Sequence, residues 1–262
     1  MKLRRSTFNP PEYGMHLTMN NAIPQAEPFQ GLADFERQGF CVIDMPLPSQ
    51  EVLDAFGNMP RDRHSLSRMR QIRLGQYMAY LDENEWVLAL LPRRDYVQSA
   101  RFIKLNEAGG VPRFREQLEV DPTPFVGHVL DNLPVDRSAM FQINVNQIRV
   151  VANAQFQGVT VPEGPHRDGH EFSVIAVVRR HNVHGGETQV IDPQTGDILL
   201  RQTLHENQAI LIDDERFIHY ASNIDVAEGE SGYRDIWVIE INRWESRAYG
   251  RAHEREALSD GL

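Results

Sequence analysis

Between residues 136 and 245 the apolar segments follow one another too closely for helices to fit between them. "MFQINVNQIRVVA", "EFSVIAVVRR", "ETQVID", "QAILIDD", "FIHYASNI" and "RDIWVIEIN" come in succession. The stretches that separate them include "NVHGGE", "DPQTGD" and "AEGESG", whose Gly, Asn and Asp supply hairpin and loop conformations. Strands packed this densely along the chain predict an antiparallel sandwich, barrel or jelly roll rather than a parallel sheet.

Upstream the pattern is mixed. "GLADFERQGFCVIDM" predicts a short helix and a strand, and "PSQEVLDAFGNM" a helix capped by Ser49. "VPRFREQLEV" and "PFVGHVLDNL" have helical spacing, each entered through a proline. The expected organisation is one catalytic domain over 1–262: a helical or mixed part to about 135, a β core over 136–245 and a polar tail over 246–262, as a surface helix or frayed. The lone cysteine, Cys41, sits in an apolar strand and reads as a small core residue. The basic N-terminal stretch has no apolar segment after it, and no run approaches bilayer length. Cytoplasmic residence without a membrane partner is the expectation. A net charge of -10 argues against a nucleic-acid partner, which needs a positive footprint, and suits a small substrate.

The chemistry starts at "PHRDGHEF", where His166, Asp168 and His170 alternate ahead of an apolar run. On a strand, residues two apart share a face with Cα atoms roughly 6.6 Å apart, so His166 and Asp168 can converge on one ion. His170, about 13 Å from His166 on that face, is too far for both to ligate at about 2 Å. A third ligand must come from another strand. His181 and His184 fall in a turn and His205 in a polar stretch, whereas His219 opens a strand in "DDERFIHYASNI". Two histidines and a carboxylate form the facial triad of non-haem Fe(II) oxygenases, which leaves three coordination positions open. A 2-oxoacid can chelate through two of them and O2 can take the third. The far carboxylate of 2-oxoglutarate then needs a cation, and Arg234, in the next apolar strand, is placed to supply a two-donor fork. Each feature alone is common in chains without iron; their order along the strands carries the reading.

The segment "PHRDGHEFSVIAVVRRHNVHGGETQVID", with "FIHYASNI" and "GYRDIWVIEINRW", resembles the bacterial 2-oxoglutarate/Fe(II) dioxygenases that include L-isoleucine 4-hydroxylase and related hydroxylases of free amino acids. "NQIRVVA" and "RQIRLGQYMAY" are similar too, so the likeness spans roughly residues 65 to 245. It implies a mainly β fold, the double-stranded β-helix or cupin-like jelly roll, flanked by helices. It also implies iron on His166, Asp168 and His219, with Arg234 on the cosubstrate. The implied reaction hydroxylates an unactivated C–H of a free amino or imino acid and releases succinate and CO2. Asp168 fills the place that related halogenases leave for a halide, which favours hydroxylation. One departure is Ile236, where many such enzymes carry a hydroxyl two places after the arginine.

An amino acid substrate needs a cation or amide for its carboxylate and an acid for its amine. Gln147 and Arg149, on one strand face, and Glu163, just before His166, are the candidates. Their structural alternatives are a sheet-edge pair and a loop carboxylate. The run holding Arg61, Arg63, Arg68, Arg70 and Arg73 reads structurally as a solvated helix face or a salt-bridge network. Arg73 is its candidate anion contact. Two other functions remain compatible with the motifs: a dioxygenase acting on a peptide residue or another small metabolite, and a metal-binding cupin without oxygenase chemistry. The carbon attacked and the oligomeric state are not legible, and a homo-oligomer is allowed.

Overall fold

The computed structural model describes residues 31–65 and 69–260; His16 and Arg68 lie outside the described residues. A seven-stranded antiparallel sheet runs in the order β1 (Phe40–Asp44), β9 (Gln208–Asp213), β5 (Phe172–His181), β12 (Ser231–Arg243), β4 (Phe141–Asn153), β2 (Arg70–Asp82) and β3 (Glu85–Leu90). Facing it are β10 (Ile218–Ala221), β7 (Glu187–Ile191) and β8 (Ile198–Thr203), with the small pair β11 (Ile224–Val226) and β6 (Val183–Gly185). Ile148, Ile175 and Ile236 of the large sheet pack against Val190 and Ile224 of the smaller ones, closing the jelly-roll interior.

The other face of the large sheet is also covered. Helices α1 (Leu32–Gln38), α2 (Gln50–Gly57) and α3 (Thr123–Asp131) lay Phe35, Phe56 and Phe125 over it. Phe56 meets Trp237 edge-on, ring centroids 5.4 Å apart. Strand alternation sorts the side chains. On β5, Val174 and Ala176 join the helices while Ile175 and Val177 enter the jelly roll. On β4, Val145 joins the helices while Ile148 and Val150 point inward. The unbroken β4–β12 register carries that parity through every residue of β4.

Local signals hold where the backbone satisfies itself locally. The Ser49 hydroxyl accepts the Val52 N–H at 3.3 Å and starts α2, and α3 begins at a proline. The polar tail forms α4 (Arg251–Ser259), tied back by Arg94 to Glu254 at 2.7 Å.

"VPRFREQLEV" is not a helix. Its backbone bonds go to distant partners: Arg113 exchanges N–H and C=O with Tyr96 at 2.9 and 3.0 Å, and Glu116 and Leu118 bond Leu74. The buried residues Arg113 and Arg115 flank exposed Phe114, a period of two. Likewise "RQIRLGQYMAY" is strand, not a helix face. It turns into β3 through Glu83 and Asn84, both at positive φ. The large sheet therefore draws β1, β2 and β3 from residues before 136.

Candidate active site

His166 and His219 are paired across strands. His166 N–H donates to His219 C=O at 3.1 Å, the reverse bond is 2.8 Å, and the ring centroids lie 4.5 Å apart. The chain then leaves the extended conformation: Gly169 has φ +87°, and β5 starts only at Phe172. His166 and Asp168 thus converge through a turn rather than along one strand face, as their spacing had suggested. A side chain at Gly169 would also strike the Phe102 ring, a Cβ coming within 2.4 Å.

One buried carboxylate holds this turn. Asp214 accepts the N–H groups of Asp168, Gly169 and His170 at 3.1, 2.8 and 3.0 Å. Its Oδ1 lies 3.4 Å from His219 Nδ1. In the sequence Asp214 belonged to an acidic loop with no assigned role; only its place five residues before His219 pointed to it.

The three side chains face one point. Asp168 Oδ1 is 3.3 Å from His166 Nε2, and Asp168 Oδ2 is 3.4 Å from His219 Nε2. One nitrogen or oxygen from each lies within 4.8 Å of the others. His166 Nδ1 lies 2.9 Å from Gly164 C=O, a bond that leaves Nε2 free to ligate. Ser173 donates to Asp168 Oδ2 at 2.9 Å and Gln98 to Oδ1 at 3.3 Å. Burial opposes ionisation of Asp168, yet His219 and His166 hold its carboxyl well below the usual range. Burial likewise opposes charge on His219, but Asp168, with help from Asp214, pushes it up to about 10. The cluster favours a shared positive charge, which a divalent cation supplies; its two nitrogens and one oxygen suit non-haem iron.

His170 turns away from this point. Its Nε2 lies 3.1 Å from Glu240 Oε2. Glu240 outweighs the effect of burial and raises the imidazole to about 9. Glu240 also accepts from Tyr96, Asn144 and Asn146, which makes His170 part of a buried structural network.

Arg234 lines the same cavity as the triad and is 1% exposed. Its Nε and Nη2 have no hydrogen-bond partner among the described residues. Burial, then the nearby Arg180, lowers its pKa to about 9. The Arg234 side chain packs where Gly186 leaves room, a Cβ there lying 3.3 Å from Arg234 Cδ. Thr188, in the same cavity, is 1% exposed and its hydroxyl is also unpartnered. A buried donor left unpaired is costly, and the charged guanidinium in particular suits an anionic partner. The sequence had left the arginine's hydroxyl companion unassigned; Thr188, in the G-G-E-T stretch, brings a buried hydroxyl to the same cavity, whereas Ile236 offers only apolar surface to it.

The other sequence candidates divide by strand parity. Glu163 does line the cavity, its Oε1 3.6 Å from His166 Nε2. Gln147, Arg149 and Arg73 do not. All three sit on the helix-facing side of the sheet, in step with Val145 and Tyr77. Arg149 binds Asp235 through two 2.7 Å bonds, and Arg73 binds Glu119 at 2.8 Å. Gln147 is fully buried there. Among the described arginines of that run, Arg70 lines the cavity instead.

The 2OG-Fe dioxygenase model matches residues 53–240. The chain belongs to the 2OG-Fe dioxygenase family. Iron(II), 2-oxoglutarate and O2 are the cofactor and cosubstrates of this family. No protein of curated function matches this dioxygenase in sequence. In structure it is similar to a BsmA homolog from Methylobium petroleophilum PM1, with 24% identity and a TM-score of 0.68 over 87% of this chain and 97% of that one. It is also similar to IDO from Bacillus thuringiensis, with 16% identity and a TM-score of 0.61 over 88% and 100%. A third similar structure is the Fe(II)/α-ketoglutarate-dependent dioxygenase TqaL, with 14% identity and a TM-score of 0.52 over 80% and 85%. These likenesses establish the jelly-roll fold. No helix among the described residues is long and apolar enough to cross a membrane.

Asp214 gives the dioxygenase a testable feature. Asp214→Asn keeps the shape but loses the charge that holds both the turn and His219. Its metal affinity is expected to fall about 10- to 100-fold, the usual cost of losing an outer partner of metal ligands. Titration of the apoprotein with Co(II) measures it, and an unchanged affinity would remove this role.

Proposed function

We propose that this chain is a 2-oxoglutarate-dependent hydroxylase of a free amino or imino acid, with iron on His166, Asp168 and His219 and the far carboxylate of 2-oxoglutarate on Arg234. The observation that carries the reading is the pairing of a three-ligand cluster with a buried, unpartnered arginine in one cavity. A metal-binding cupin without oxygenase chemistry has no use for that arginine. His166, Asp168 and His219 would hold a ferrous ion, which would supply the activation of O2 coupled to conversion of 2-oxoglutarate to succinate and CO2.

The protein's own side chains position and exclude. Arg234 offers its fork and Thr188 a hydroxyl to one carboxylate, fixing the cosubstrate's orientation. Ser173 and Gln98 hold the Asp168 carboxylate in one rotamer. Ile175, Ile236 and Val238 line the cavity with apolar surface that keeps water from the reacting carbon. Glu163, beside His166, is placed to receive an ammonium group. His166, Asp168, His219 and Arg234 are each at most 9% exposed, which favours a small enclosed substrate over a peptide lying in a groove.

Incubation of the Fe(II)-loaded protein with 2-oxoglutarate and a panel of free amino and imino acids tests this. At least one acid should gain a single oxygen by mass spectrometry, with succinate formed in equal amount. Oxygen gained only by peptides would overturn the substrate class, and no succinate under any condition would overturn the reaction.

A further inference from the structure

Three arginines line the active cavity beyond Arg234, and the reading above does not use them. Arg70, Arg113 and Arg115 converge near Asp62. Arg113 and Arg115 are each 6% exposed. Their guanidinium carbons lie 4.9 and 5.1 Å from the centre of the Tyr96 ring, which holds the planar groups in place.

Their charges are not balanced. Among the described residues, Asp62 is the one carboxylate within ion-pair distance of Arg70 or Arg115, and Arg113 has none. Even Asp62 is loosely engaged: 3.6 Å from Arg70 Nε and 4.0 Å from Arg115 Nη2, both beyond hydrogen-bond length. Among the described residues, the Nε atoms of all three arginines and Nη1 of Arg115 are buried without a hydrogen-bond partner. Burial, then Arg113, lowers Arg115 to about 10. A structural salt-bridge network would satisfy these donors, because unpaired buried charge is among the costliest features a fold can carry.

The cluster is also wired to the metal site. Arg113 Nη2 donates to Gln98 Oε1 at 2.6 Å, and Gln98 Nε2 donates to both the backbone and side-chain oxygens of Asp168 at 3.3 Å. One amide side chain therefore spans the gap between these cations and a proposed iron ligand. Arg70 and Arg234 both stand in register with Val150, one strand to either side of it, about 10 Å apart across the sheet. The cluster is separate from the arginine assigned to 2-oxoglutarate.

We propose that Arg115, with Arg113 and Arg70, forms the subsite for the carboxylate of the substrate, a short carboxylic acid whose far end reaches the metal. The proposal rests on the hydroxylase reading and deepens it by replacing Arg149, Gln147 and Arg73, which face away. Two or three guanidinium forks suit the two oxygens of a carboxylate. The length of Gln98 limits the acid to a few carbons between carboxylate and oxidised position.

The test is calorimetry on the Co(II)- and 2-oxoglutarate-loaded protein, with the twenty common L-amino acids, their carboxamides, butyrate and inorganic phosphate as probes. Wild type should bind at least one acid at least tenfold more tightly than its amide. Arg115→Gln should weaken that acid by about 10- to 100-fold, the loss of a charge-assisted pair, and bring acid and amide to within about twofold. Arg115→Lys should recover part of the preference. Affinity for 2-oxoglutarate and the melting temperature should stay near wild type in Arg115→Lys, which shows that the fold and the cosubstrate site are intact. An acid preference that survives Arg115→Gln, tighter binding of phosphate than of any carboxylate, or no carboxylate bound would each overturn the subsite. Failure of wild type to bind 2-oxoglutarate would instead overturn the underlying hydroxylase reading.

Discussion

Asp168→Ala is expected to reduce 2-oxoglutarate turnover by about 10³-fold or more, because a metal-held stabilisation of several kcal/mol depends on that carboxylate. Asp168 is the hinge of the cluster, with one oxygen facing each histidine. Alanine removes both contacts and strands the Ser173 and Gln98 donors. Succinate formation measures the effect, and Co(II) titration should show weakened binding in parallel. Turnover within tenfold of wild type would mean that the ligands are elsewhere.

The second large effect belongs to Arg234. Truncating one member of a buried, hydrogen-bonded charge pair costs about 2–5 kcal/mol, so Arg234→Ala should weaken 2-oxoglutarate binding roughly 30-fold or more. Metal affinity should change little, since Arg234 touches none of the three ligands. Arg234→Lys restores charge without the fork and should recover only part of the loss. Anaerobic calorimetry with the metal-loaded protein reads both variants, and unchanged 2-oxoglutarate affinity would detach Arg234 from the cosubstrate.

The residues brought together here differ in how far the sequence announced them. His166, Asp168, His219 and Arg234 were expected from their order along the chain; the first three bring ligand atoms within 4.8 Å of one another and Arg234 lines the same cavity. Which side of a strand faces the cavity was not. Helices cover one face of the large sheet and the smaller sheets cover the other, so apolar alternation on β4 marks two cores equally well. A shift of one residue exchanges them. Gln147 and Arg149 on β4, and Arg73 opposite them on β2, fall on the helix-facing side, each one position from an inward neighbour.

Arg113 and Arg115 were hidden differently. Their segment has helical spacing, but its hydrogen bonds go to Tyr96 and Leu74, and pairing with remote strands overrides local preference. Neither Asp214, in an acidic loop, nor Thr188, in the G-G-E-T stretch, shows its role in the sequence pattern. Their importance lies in what their buried oxygens face, which only the folded chain displays. The jelly roll itself was readable from strand density, while β2 and β3, upstream of residue 136, were not expected in its sheet.

The central claim is that three side chains create a metal site on which cosubstrate binding depends. Anaerobic calorimetry of 2-oxoglutarate, with and without Fe(II), addresses it most directly. One 2-oxoglutarate per chain, bound at least tenfold more tightly with the metal than without it, is the predicted result. Equal affinity in the two titrations would contradict the account.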